Sequence, residues 1–123
     1  MPKHRHAKVI FIVEDDPSIS ELMKIIIEGQ GFEVKTFFEI GEVESSAVSL
    51  QPSLIITDLR IPGQGGIHLV KTLKKRKETS EIPVVLVSAD SALQKIAVHS
   101  KANGYLSKPF NIKDLVDIIK KFT

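Results

Sequence analysis

The chain predicts an α/β fold: five parallel strands in one sheet, ordered 2-1-3-4-5, as a (βα)5 three-layer sandwich. Two observations carry this. Short apolar runs alternate regularly with segments whose apolar residues recur at helical spacing. Four of the runs also end, on their C-terminal side, in a polar residue able to do chemistry: Val9–Val13 into Glu14-Asp15-Asp16, Leu54–Thr57 into Asp58, Val84–Val87 into Ser88, and Tyr105–Ser107 into Lys108-Pro109. Right-handed crossovers between parallel strands bring all such endings to one edge of the sheet, where open α/β sheets place their sites.

Each element has its own signal. Residues 8–13 form a continuous apolar strand. Over 17–30, Ile19, Leu22, Met23, Ile26 and Ile27 give a helical stripe. Asp16 or Asp15 caps that helix, Pro17 suits its first turn, and Gly29 and Gly31 end it. Residues 32–37 alternate, with Phe32, Val34 and Thr36 against Glu33, Lys35 and Phe37, as an edge strand does. Residues 39–49 predict a weak second helix with Ile40, Val43, Ala47 and Val48 on one face. The third strand is 54–57, and Pro62-Gly63 and Gly65-Gly66 mark the loop after it. Ile67, Val70, Leu73 and Lys74 open a third helix that runs to about Arg76. Residues 82–87 form the fourth strand, 91–100 the fourth helix, which Asn103-Gly104 ends, and 104–107 the fifth strand. Asn111 caps a last helix with Ile112, Leu115, Val116, Ile118, Ile119 and Phe122 inward.

Composition narrows the chemistry. With 123 residues, 42% hydrophobic and 26% charged, the chain fits one soluble domain at 8–122 behind a basic tail, 1–7, expected to be mobile. The absence of cysteine excludes disulfides, thiol catalysis and cysteine-bound zinc. The first apolar run is five residues long and ends in acids, so it is neither a signal peptide nor a membrane span, and a cytoplasmic location is the expectation. His4 and His6 lack a third ligand and read as part of the tail; His68 and His99 fall on helix surfaces. Lys74-Lys75-Arg76-Lys77 has no aromatic neighbours and reads as a solvated helix end near the negative pole of the dipole, not a nucleic-acid patch.

The strand endings supply a reaction. Glu14 and Asp15 end strand one and Asp58 ends strand three; in the 2-1-3-4-5 order these strands are neighbours, about 4.8 Å apart. A helix cap explains one or two acids of the first group but not Asp58. Carboxylates so close repel unless neutralised, and an all-oxygen set without His or Cys suits Mg²⁺. The acidic loop after strand one would repel a directly bound phosphate, which otherwise favours this position. A phosphoryl group on Asp58, by contrast, offers three oxygens: one each for Mg²⁺, Ser88 and Lys108. Asp58 then acts as nucleophile and forms an aspartyl phosphate, and three negative side chains balance Mg²⁺ plus Lys108.

Val-Glu-Asp-Asp-Pro at 13–17, Asp-Leu-Arg-Ile-Pro-Gly at 58–63, Val-Ser-Ala at 87–89 and Tyr-Leu-Ser-Lys-Pro-Phe at 105–110 together resemble a response-regulator receiver domain of two-component signalling, with its flavodoxin-like fold. The resemblance spans about residues 7–122. It implies Asp58 as phosphoacceptor, Glu14 and Asp15 as the acidic metal pair, and the Arg60 backbone carbonyl as a further Mg²⁺ ligand. It implies that Ser88 moves toward the phosphoryl group, that Lys108 binds it ahead of a cis Pro109, and that Tyr105 is the aromatic switch. The face of helix four, strand five and helix five would then change for a downstream protein. Arg60 and Asp90 would overhang the site and tune hydrolysis by pairing across it. Ile61-Pro62 and Gly65-Gly66 replace the family's usual Met-Pro and Asp-Gly, and the extra glycine is expected to loosen the loop.

The expected phosphodonor is a histidine kinase or phosphotransfer protein, with no membrane contact and no direct nucleic-acid binding by this domain. The expected chemistry is self-catalysed transfer to Asp58 and hydrolysis, not turnover of an external substrate. Two alternatives stand beside it. An aspartyl-nucleophile phosphatase would place Asp-x-Asp after strand one and carry a cap domain. A phosphorylation-independent interaction module would not need Asp58, Ser88 and Lys108 together. The chain is expected to be either a stand-alone receiver or a piece of a longer regulator or hybrid kinase.

Overall fold

The computed structural model describes residues 8–123. The basic tail 1–7, with His4 and His6, lies outside them. Ten elements alternate along the chain: β1 (Val9–Val13), α1 (Pro17–Gly29), β2 (Glu33–Phe37), α2 (Val43–Leu50), β3 (Leu54–Asp58), α3 (Gly65–Lys75), β4 (Val84–Ser88), α4 (Leu93–Ser100), β5 (Gly104–Ser107) and α5 (Ile112–Phe122). All four strand pairings are parallel and the order is β2-β1-β3-β4-β5, as the alternation predicts.

The period-2 geometry of the strands divides the core in two. Phe11, Val13, Ile55, Val84 and Leu86 point to one face, where they meet Val43 and Ala47 of α2, Leu69, Val70 and Leu73 of α3, and Leu93 and Ala97 of α4. Ile10, Ile12, Ile56, Val85, Val87 and Leu106 point to the other, against Met23 and Ile27 of α1 and Leu115 and Ile119 of α5. Because both faces are covered, the central strands carry unbroken apolar runs. β2 sits at the edge and alternates, yet its last residue, Phe37, packs on Phe11 with ring centroids 4.9 Å apart.

Local chemistry sets the helix ends. The Asp16 side chain, not Asp15, accepts from Ser18 and Ile19 N–H groups and caps α1, with Pro17 in its first turn. Asn111 and Asp114 form a reciprocal capping box on α5. α4 ends where Lys101 turns left-handed, φ 68°, two residues before Asn103.

Several sequence expectations are corrected. Leu22, placed on the apolar stripe of α1, and Ile112, assigned inward, are exposed, as is Ile67 in the first turn of α3. The stripes are narrower than the apolar residues suggest, and on α3 Leu69 is buried. Residues 39–42 stay outside α2, although Ile40 is buried ahead of it. β4 starts at Val84, after Pro83, which has no N–H for a ladder, and α4 starts at Leu93 instead of 91. Helix α3 begins two residues early, at Gly65. The loop glycines are constrained, not loosening: Gly65 has φ +88°, and a Cβ on buried Gly66 would lie 2.6 Å from the Asp58 carbonyl oxygen. Gly66 N–H donates to the Leu59 carbonyl at 2.9 Å, tying α3 to the end of β3. Among the described residues no helix is long and apolar enough to cross a membrane.

Candidate functional site

Asp58 and Ser88 are the last residues of β3 and β4, one position beyond the strands expected from sequence, so sheet pairing fixes their backbones. The Leu59 N–H donates to the Val87 carbonyl at 2.8 Å, and the Lys108 N–H to the Ser88 carbonyl at 2.9 Å. These bonds extend the ladders just past the strand ends. On the other side of β3, the Glu14 N–H donates to the Phe37 carbonyl at 2.9 Å, which holds the start of the acidic loop against β2.

Glu14, Asp15 and Asp58 converge, with one carboxylate oxygen of each within 4.8 Å of the others. Glu14 is almost fully buried, at 2% exposure, Asp58 is half-buried, and Asp15 is exposed. The Lys108 ammonium spans the cluster, 2.9 Å from Glu14 Oε1 and 3.4 Å from Asp58 Oδ2. Glu14 Oε2 also accepts the Asp16 N–H at 3.1 Å. The Lys108–Pro109 peptide bond is cis.

The electrostatics are those of a site short of positive charge: three carboxylates share one ammonium. Burial pushes the Glu14 carboxyl above its ordinary value; bonds from Lys108 and the Asp16 N–H pull it down, and the Asp58 charge adds to the rise. Burial works to lower Lys108, but hydrogen bonding to Glu14 and the charges of Asp58 and Glu14 outweigh it and hold the ammonium above its ordinary value. A salt bridge to Lys108 alone would lower Glu14. The net rise means that burial of the Glu14 carboxylate, with the smaller repulsion from Asp58, outweighs what Lys108 and the Asp16 N–H return.

Around this centre stands a second group. The Ser88 hydroxyl is buried and accepts the Asp90 N–H at 3.0 Å. The Asp90 carboxylate accepts from Ala92 N–H at 2.8 Å and from the Arg60 guanidinium at 2.7 Å. Arg60 therefore reaches from the loop after β3 to the loop after β4. Tyr105 is exposed on β5, paired in register with Leu86. His68 and His99 lie on exposed helix surfaces away from the cluster.

Two contributors escaped the sequence reading. Gly66 allows α3 to touch the backbone of Asp58 and Leu59, and the doublet Gly65-Gly66 was its only signal. The Thr57 hydroxyl, buried at the end of β3, donates to the Asp58 carbonyl at 3.0 Å, and nothing in an apolar run marks it. Beside the cluster lies an apolar groove lined by Ile19, Leu22, Ala89, Lys108, Pro109 and Phe110, so the exposed Leu22 borders the site.

Comparison with known proteins places this arrangement. Residues 10–120 match the response regulator receiver domain family. The DNA-binding dual master transcriptional regulator RpaA of Synechocystis is 36% identical over 109 residues, covering 87% of this chain and 45% of that protein. The chain thus spans about half the length of the curated relatives it matches. A putative response regulator from Chloroflexus aurantiacus has a structure similar to this one, with a TM-score of 0.89 and 26% identity, covering 95% of this chain and 98% of that one. The receiver domain of a Pseudomonas aeruginosa sensor histidine kinase, whose structure has a magnesium ion coordinated in the active site cleft, shares the fold at a TM-score of 0.85 and 22% identity, covering 95% and 98% of the two chains. With nearly the whole chain matched and the strand-edge cluster in place, the protein belongs to the response regulator receiver domain family, the phosphoacceptor switches of two-component signalling.

Proposed function

We propose that Asp58 is the phosphoacceptor and that a histidine kinase or phosphotransfer protein is the phosphodonor. An Asp58 carboxylate oxygen attacks the phosphorus of a phosphohistidine; the P–N bond breaks, and the imidazole leaves with the electron pair. The observation that carries this is the Lys108 ammonium held between Glu14 and Asp58. It stands beside the oxygen that would carry the phosphoryl group, ready to exchange a carboxylate for a phosphoryl oxygen. The buried Ser88 hydroxyl would take another by releasing the Asp90 N–H.

The donor set fits Mg²⁺. It is all oxygen, no His joins the cluster, and its negative charge exceeds what Lys108 supplies. Glu14, Asp15, Asp58 and the Arg60 backbone carbonyl would hold the ion. When bound, it offsets charge building on the phosphoryl oxygens. Transfer and hydrolysis are self-catalysed on Asp58, and Arg60 with Asp90 limits the approach of water. Movement of Ser88 and Tyr105 alters the α4–β5–α5 face for a downstream protein. The apolar groove at Leu22 and Phe110 supports docking of the phosphodonor beside Asp58. The domain acts in the cytoplasm and binds no nucleic acid itself, whether alone or within a longer regulator.

The test is intact mass after incubation with Mg²⁺ and acetyl phosphate. A gain of one phosphoryl group is expected, lost in Asp58→Asn and on chelation of Mg²⁺. Unchanged mass at every Mg²⁺ concentration would leave a phosphorylation-independent module.

A further inference from the structure

Charge is unevenly divided over the molecule. The net charge is only +2, yet no Asp or Glu occurs from Leu59 to Lys77 or from Ser91 to Lys113. Helices α3 and α4, which fall within those stretches, carry Lys71, Lys74, Lys75 and Lys95 and no acid. Helices α1 and α2 carry Glu21, Glu28 and Glu44 against Lys24.

Between α3 and α4 lies an apolar groove of about 380 Å³, lined by Ile67, Lys71, Lys95, Ile96, His99 and Ser100. Ile67, an apolar residue in the first turn of α3, stands exposed. Among the described residues, no carboxylate comes within 4.0 Å of the Lys71 or Lys95 ammonium. Elsewhere the fold does pair surface lysines, as Lys113 with Asp117 at 2.8 Å on α5. Lys74 is not available, because its ammonium is bound to Ser80, Ile82 and Asn103.

We infer that the α3–α4 groove docks an acidic amphipathic protein segment, an apolar side chain resting on Ile67 and Ile96 with flanking carboxylates meeting Lys71 and Lys95. The volume suits a side-chain anchor, and the pattern is that of apolar anchors in a groove with a charged rim. Nucleic acid fits less well: the groove has no Phe, Tyr, Trp or Arg to stack a base, and His99 is its single ring. An anionic membrane calls for a projecting apolar face, not a concave one. The groove shares no residue with the Glu14, Asp15 and Asp58 cluster, and it is already open in the unphosphorylated chain.

The experiment is an NMR titration of the full unphosphorylated chain with a synthetic helical peptide of roughly 15 residues, leucines on one face and glutamates beside them. A matched peptide with lysine for glutamate, a DNA duplex and phosphatidylserine vesicles are parallel probes. Saturating shifts are expected at Ile67, Lys71, Ile96 and His99 amides with the acidic peptide alone. They should weaken with added salt and by about 10-fold in Lys71→Glu/Lys95→Glu. Ile67→Ser, at an exposed position, should weaken them without altering the circular dichroism spectrum. The inference is overturned by no α3–α4 shift at millimolar peptide, by equal response to the lysine peptide, or by response to DNA or vesicles only. Shifts that grow with protein concentration alone would assign the groove to a second copy and overturn it equally.

Discussion

Two lysines stand at opposite edges of the sheet, and their surroundings could hardly differ more. Lys108, after β5 at the C-terminal edge, lies between the carboxylates of Glu14 and Asp58 and is held above its ordinary pKa. Lys74, from α3, reaches the N-terminal edge and donates to the carbonyls of Ser80 and Ile82 and to Asn103 Oδ1, at 3.3, 2.9 and 2.7 Å. Burial lowers its pKa, with Glu81 opposing. Asn103 Oδ1 also accepts the Val84 N–H at 2.8 Å, so Lys74 joins α3 to the starts of β4 and β5. Neutral acceptors satisfy the Lys74 ammonium and leave nothing to react. At Lys108 the acceptors are charged and outnumber the cation, so negative charge is left uncompensated, as the proposed function requires. One edge is a finished knot and the other an unfinished one.

The sharpest way to break this comparison is Lys108→Met. Phosphorylation of Asp58 should slow by about 100-fold or more, the order seen when one electrostatic stabiliser is removed from a reacting centre, while the chain remains folded by circular dichroism. A mass-spectrometric time course reads the loss, and a rate near wild type would mean that the ammonium is structural, like Lys74.

Lys74→Met reverses the pattern. It leaves acceptors at the N-terminal edge without their donor and should cost roughly 1–3 kcal/mol in urea unfolding, with the phosphorylation rate nearly unchanged. A large loss of rate at unaltered stability would erase the distinction between the edges.

A pH series separates them further. Glu14 is raised in the folded state, so its contribution is fully present below the ordinary value of 4.5 and is lost as pH rises through the folded value. Lys108 is also raised, so its contribution persists below 10.5 and is lost above the folded value. Thermal unfolding of wild type should therefore show a component of stability that falls as pH rises above 4.5. Glu14→Gln should flatten that step, and Mg²⁺ should raise the melting temperature more at pH 7 than at pH 4.5. A step that survives Glu14→Gln unchanged would assign it elsewhere.

The smallest expected effect is at Arg60, whose side chain is 75% exposed. Arg60→Ala should change stability by less than about 0.5 kcal/mol and alter the lifetime of the phosphorylated form a few-fold. An unchanged decay measured by intact mass would remove Arg60 from the tuning role.

The sequence was most readable at the C-terminal edge. Glu14, Asp15, Asp58, Ser88 and Lys108 all lie at the C-terminal ends of short apolar runs, and strand direction alone carries them to one place. The N-terminal knot was far less so. Lys74 sits in a basic run that reads as a solvated helix end, and its three partners come from the α3–β4 and α4–β5 segments. Arg76 in the same run does stay at the surface, paired with Glu44 and Glu78. Leu22 and Ile112 were misplaced because spacing specifies the face of a helix but not how far the neighbouring elements extend over it.

By itself, the sequence determined the five βα units, the parallel sheet, the cap at Asn111, a cap at Asp15 or Asp16, and the set of polar residues at the strand ends. These follow from periodicity and from backbone chemistry within a few residues. Only the tertiary structure decided that Lys108 divides itself between Glu14 and Asp58, that Gly66 must lack a side chain against the Asp58 carbonyl, and that Arg60 meets Asp90. Those contacts join residues 8 to 94 positions apart in the chain. Their distances depend on how strands and helices pack, which no local pattern encodes.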